Sequence, residues 1–159
     1  MAAKEATLTE RVHTSYKQLT SAATNLNIAS DELSRAVSAL ETALQKLNLG
    51  ISAWTEITNG GDDDTSWWSR DIGYTELKHS WRIALRSCSG NYSYPDHDSE
   101  TVWHFSQAPR WMQDEAVSKI PDLIDKLTTR AAETTKKLKN RAEQAFQLTA
   151  VIEEVAKSE

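Results

Sequence analysis

Leucine recurs at every seventh residue through the first third of the chain, at Leu19, Leu26, Leu33, Leu40 and Leu47. Tyr16, Ala23, Ser30, Val37 and Leu44 fill the companion positions, so two rows of side chains share one side of a helix. A period of seven is incompatible with a strand, and such a stripe needs a partner to cover it. Thr7 followed by Glu10 reads as a capping box at the start of this helix, and Gly50 suits a left-handed residue beyond its end. The pattern predicts a helix over about residues 8–49.

The last third repeats the pattern. Val117, Ile124, Ala131, Leu138, Ala145 and Ile152 form one row, and Ile120, Leu127, Thr134, Arg141, Leu148 and Val155 the other. Thr134 and Arg141 interrupt the second row. Pro109 fits a first helical turn, whereas Pro121 lacks an amide hydrogen and clashes one turn back. A kinked helix over about 109–156 is expected, bent or broken near 117–121. Two rods of similar length predict a long antiparallel, coiled-coil-like hairpin. Ile28, Ala36, Ala43 and Ala132 widen the apolar stripe beyond one seam, which invites self-association of two hairpins.

Between the rods the composition changes. The whole formal charge of −5 lies within residues 51–108, because the two flanks are each neutral. The same stretch holds Trp54, Trp67, Trp68, Trp81 and Trp103, and Trp111 follows directly. Ile51, Ala53, Thr55 and Ile57 alternate with Trp54 and Glu56, as in a strand before an Asn59-Gly60-Gly61 turn. Asp71 to Leu77 and Ser80 to Ser87 read as two more strands joined at Lys78-His79. Thr101 to Ser106 reads as a fourth. The expected fold class is therefore α+β: a small antiparallel sheet of three to four strands, about 51–107, inserted between the helices of one 159-residue domain.

Ile72-Gly73-Tyr74, the run from Trp81 to Arg86, and Ala108-Pro109-Arg110 leading into an apolar helix resemble a pattern in uncharacterised bacterial proteins. Those proteins are helical hairpins with a small inserted β-meander and no assigned activity. The resemblance covers about residues 70–127 and implies architecture alone.

Chemistry-bearing residues are sparse. Cys88 is the single cysteine, which excludes an internal disulfide and a cysteine-based zinc site. His13, His79, His97 and His104 show no ligand spacing, and no Gly-x-Ser-x-Gly or phosphate-binding glycine loop occurs. The Asp62-Asp63-Asp64 run lacks the alternation of a calcium loop, and the Asp96 to Glu100 loop reads as a polar connection. No catalytic residue, metal ligand or cofactor is expected, and a non-enzymatic role follows. Lys136, Lys137, Lys139 and Arg141 alternate with Glu133 and Glu143 as a solvated helix face, and the aromatics sit in the acidic centre instead. Nucleic acid is thus not an expected partner. No run approaches the roughly 18 apolar residues of a membrane span, and the N-terminus shows no apolar signal core, so a cytoplasmic protein is expected.

What remains is interaction. The candidate self-association seam comprises Leu19, Leu26, Leu33, Leu40, Leu47, Ile124, Leu127, Leu138, Leu148 and Ile152, serving a homodimer or a helical partner. Trp54, Trp67, Trp68, Tyr92 and Tyr94 form a candidate recognition surface. The alternative is a small-ligand binder, or an enzyme of unrecognised type, with a pocket beneath the sheet lined by Trp81, Trp103 and Trp111.

Overall fold

A computed structural model describes residues 7–62 and 64–158. Helix α1 (Leu8–Lys46) begins at the expected capping box: the Glu10 amide donates to Thr7 Oγ1 at 3.2 Å, and the Thr7 amide to Glu10 Oε2 at 2.8 Å. It stops three residues before the expected end, because Asn48 turns left-handed at φ +50°, ahead of Gly50 at +63°. Strands β1 (Ala53–Gly60), β2 (Ser66–Leu77), β3 (Ser80–Asn91) and β4 (Ser99–His104) follow, all antiparallel in the order β1-β2-β3-β4. The expected meander is present, with longer central strands and a fourth strand that ends at His104, where Phe105–Gln107 form a 3-10 turn instead of continuing the strand to Ser106. Helices α2 (Arg110–Val117) and α3 (Ile120–Lys157) complete the chain, the break between them falling just before Pro121. The chain is thus α+β.

Two differences in the sheet have local causes. The segment Asn59-Gly60 lies inside β1 rather than in a turn, because Gly60 pairs with Trp68 and Asn59 with Ser69. The reversal comes after Gly60, and the amides of Thr65 and Ser66 both donate to the Asp62 carbonyl. A register shift between Glu56 and Thr58 marks a bulge that lets β1 continue. Asp63, the middle of the acidic run, lies outside the described residues.

Alternation places the core as the sequence predicts. Ile72 and Tyr74 of β2 oppose Leu85 and Ile83 of β3 on one face, and all four are buried. Met112 and Ala116 of α2, Leu123 and Leu127 of α3, Val37 and Leu44 of α1, and Phe105 join them in one apolar cluster. The Gln113 amide nitrogen, also buried, donates to the carbonyls of Phe105 and Ala108 and fixes the turn into α2.

The two-helix hairpin is not matched. Helix α1 lies against β3 and the turn after β4, whereas α3 lies against β1 and β2. Each rod spends its apolar stripe on the sheet, over the turns nearest it: Val37 and Leu44 in α1, Leu123 and Leu127 in α3. A 39-residue helix is about 58 Å long, and even the 12-residue strands β2 and β3 span only about 40 Å along their length, so the outer turns outrun their support. Leu19, Leu26, Leu47, Leu138, Leu148 and Ile152 are 52–69% exposed. Leu33 and Leu40 are partly covered and Leu127 is buried, but the expected seam does not close within the chain. Ile124 is 39% exposed because the inward row at the start of α3 is Ile120, Leu123 and Leu127. Among the described residues no helix is long and apolar enough to cross a membrane.

Candidate functional site

The densest polar cluster lies where α1 crosses the sheet. Strand β4 pairs with β3 only from Ala84 onward, which leaves the earlier residues of β3 with a free edge. Helix α1 covers that edge with side chains one turn apart. Glu41 Oε2 accepts the Ile83 amide at 2.8 Å, and the Gln45 amide nitrogen donates to the Trp81 carbonyl at 2.7 Å. The two side chains stand in for a neighbouring strand, satisfying groups that burial would otherwise leave unpaired.

Glu41 is only 2% exposed and does more than cap an edge. Its Oε1 accepts from Arg82 at 3.0 Å, and its Oε2 also lies 3.0 Å from His104 Nε2. On the other side of the imidazole, His104 Nδ1 is 2.7 Å from Ser106 Oγ. A carboxylate can only accept, so Nε2 carries the proton that faces Glu41; in the neutral ring Nδ1 is then the acceptor for the Ser106 hydroxyl. The chain Ser106–His104–Glu41 is thus polarised in one direction. Ser34, Arg35, Val37, Ser38 and Phe105 join these three around a cleft of about 250 Å³. A second cleft, about 540 Å³, opens on the other side of His104 between Arg82, Val102 and Gln107. Burial, with the Glu41 charge adding to it, pushes the Tyr74 hydroxyl above its ordinary 10.0.

Sequence reasoning missed this cluster. The available signal was Glu41 itself, a charge one turn after Val37 and three residues before Leu44, on the buried row of an apolar helix face. Nothing in the sequence announced that His104 and Ser106 would meet it.

The tryptophans of the expected recognition surface are placed by glycines. Trp54 pairs across strands with Gly73, Trp67 with Gly90 and Trp68 with Gly60. In each pair the indole lies so close that an added Cβ would fall within 3.0 Å of its ring atoms, so the absent side chain makes room for a flat ring. Trp54 and Trp67 share the face away from the helices; Trp68 lies on the helix side. Arg86, held by Asp71 at 3.0 Å, stacks 4.2 Å over Trp54. Arg70 sits 4.3 Å from both Trp68 and Trp111 and is sandwiched between them. Among the described residues no arginine covers Trp67, which lines a cleft of about 500 Å³ with Tyr92, Glu56 and Asn59. Tyr94 is exposed beside His97, apart from this cleft.

The three tryptophans expected around one pocket are not gathered. Trp81 stacks on Tyr74 with ring centres 5.5 Å apart and borders a cleft of about 260 Å³ with Gln45, Asn48 and Leu49. Neither Trp103 nor Trp111 lines that cleft: Trp103 packs against the core and Trp111 meets Arg70. Among the described residues no three His, Cys, Asp or Glu side chains cluster as a metal site would require. Of the Asp96 to Glu100 stretch, Asp96 and His97 lie in a 3-10 turn (Pro95–His97), whereas Ser99 and Glu100 belong to β4 rather than to a loop.

No protein-family model matches the chain, and no curated protein or solved structure matches it significantly.

Proposed function

We propose that the chain is an interaction and scaffold module that self-associates through the outer turns of its two long helices. The observation that carries this reading is the exposure of large apolar residues where the sheet gives no cover: Val12, Tyr16, Leu19 and Leu26 in α1, and Leu138, Phe146, Leu148, Ile152 and Val155 in α3. Lone helical turns of this kind are marginal in water, and a contiguous apolar stripe rimmed by charge marks a contact surface.

A second copy is the occupant that the charge pattern favours. In the outer part of α3, Lys136, Lys137, Lys139 and Arg141 precede Glu143, Glu153 and Glu154, so residues 136–154 run from basic to acidic. Laid antiparallel on its own copy, with Ala145 facing Leu148, α3 brings Leu138 against Val155 and Arg141 beside Ile152. The same register brings the basic stretch 136–141 level with residues 152–157 of the second copy, which include Glu153 and Glu154. Sedimentation equilibrium on the full chain tests the reading: a dimer at micromolar concentration is expected, and a strict monomer at the highest soluble concentration refutes it.

A second reading, small-ligand binding, is favoured by the uncovered indole of Trp67 in its cleft with Tyr92. A shift in tryptophan fluorescence on adding a ligand, lost in Trp67→Leu, supports it.

A further inference from the structure

We propose that Ser106 is a nucleophile activated by His104, with Glu41 as positioning residue, and that the junction of α1 with the sheet hydrolyses esters of short-chain carboxylic acids. This goes beyond self-association and is independent of it.

Three features carry the assignment. First, the connected distances: Ser106 Oγ to His104 Nδ1 is 2.7 Å, and His104 Nε2 to Glu41 Oε2 is 3.0 Å. This is the nucleophile, base and orienting carboxylate of acyl transfer, recognised by geometry rather than by order in the chain. Second, the carboxylate is rigid. Glu41 is buried and anchored independently by the Ile83 amide and by Arg82, so it fixes which imidazole nitrogen is free to take a proton. Third, Ser106 is exposed at the edge of a cleft whose walls include Arg35. Among the described residues Arg35 makes no ion pair, leaving a cation available to the oxyanion. The volume of about 250 Å³ and the Val37 and Phe105 walls suit an acyl group of a few carbons.

The step balances without a cofactor. Ser106 Oγ bonds to the ester carbonyl carbon while its proton passes to His104 Nδ1. The imidazolium, held by Glu41, returns that proton to the departing alkoxide as the carbon–oxygen bond breaks. Water then attacks the acyl-serine, giving its proton to Nδ1. Collapse releases the carboxylic acid and restores the serine hydroxyl.

The test uses the full chain with p-nitrophenyl acetate and a fluorophosphonate probe. The expected result is a covalent fluorophosphonate adduct on Ser106, located by peptide mass spectrometry. Ser106→Ala abolishes the adduct and lowers kcat/KM by about a hundredfold or more, with an unchanged thermal melt because Ser106 is exposed. His104→Gln lowers both by a similar factor, and Glu41→Gln lowers kcat with little change in KM in whatever fraction remains folded. Failure of the probe to label Ser106 overturns the assignment. So does a Ser106→Ala variant that hydrolyses at the wild-type rate, since a hydrogen-bonded latch between α1 and the sheet requires no reactive hydroxyl. Labelling that survives undiminished in His104→Gln overturns the role given to the imidazole.

Discussion

Thr55 sits on the core face of β1 opposite Ile72, and among the described residues its hydroxyl is the buried side-chain group without a hydrogen-bond partner. Such a group carries its desolvation cost with no return, of the order of 1–3 kcal/mol. Thr55→Val keeps the branched shape and is expected to raise stability by about 1 kcal/mol, read as a higher urea midpoint at unchanged m-value. Cys88 gives a second prediction at this scale. Burial pushes its thiol above the ordinary 9.0; Arg86 opposes this, whereas Glu100 and Asp71 add to it, Glu100 also accepting the thiol proton at 3.8 Å. The thiolate fraction at a given pH is therefore below that of a free cysteine, so alkylation by iodoacetamide near pH 8 is slow and Glu100→Gln speeds it. Because the folded value exceeds the unfolded one, the stability linked to Cys88 is complete below pH 9 and is lost as pH climbs through the raised value. Which way Thr55 faces was legible, since strand alternation needs only neighbours. That its hydroxyl would go unpaired was not, because partners come from distant segments.

The elements show the same division. The start of α1, the inward side of its last turns at Val37 and Leu44, the four strands and the break before Pro121 were all readable, since caps, periods and prolines act within a few residues. The extension of β2 back to Ser66 was not, because it depends on Trp67 and Trp68 finding Gly90 and Gly60 on neighbouring strands. Nor was the free edge of β3, and hence the part played by Glu41. Removing that cap has a defined cost. Glu41→Ala strands the Ile83 amide, frees Arg82 and leaves a void beside Val37, so a loss of about 3 kcal/mol is expected. Hydrogen exchange localises it, with Ile83 losing protection before the central pairs Ile72–Leu85. The Lys78-His79 turn points the other way. Both residues hold positive φ, +49° and +68°, the conformation a two-residue hairpin demands and side chains resist. His79→Gly relieves about 1 kcal/mol of this and is expected to raise the melting temperature.

At the scale of the molecule, two long helices were legible in the sequence, but what their apolar rows would lie against was not. A heptad states that an apolar side needs cover; the helix-on-sheet packing and the overhang follow from lengths that only the assembled strands define. If α3 pairs antiparallel with its own copy in that register, Arg141 faces Ile152 twice in each dimer, by symmetry. A charge held in an apolar seam weakens it, so Arg141→Leu is expected to tighten the dimer. Leu148→Asp, in the same seam, is expected to weaken it by about 3 kcal/mol, roughly a hundredfold in Kd. Lys139→Glu and Glu154→Lys change side chains that point away from the seam and are expected to leave Kd within a few-fold. A dimer built on α1 alone leaves Kd unchanged in Arg141→Leu and in Leu148→Asp. Sedimentation equilibrium of these variants distinguishes the outcomes, and the opposite signs of Arg141→Leu and Leu148→Asp are the decisive result.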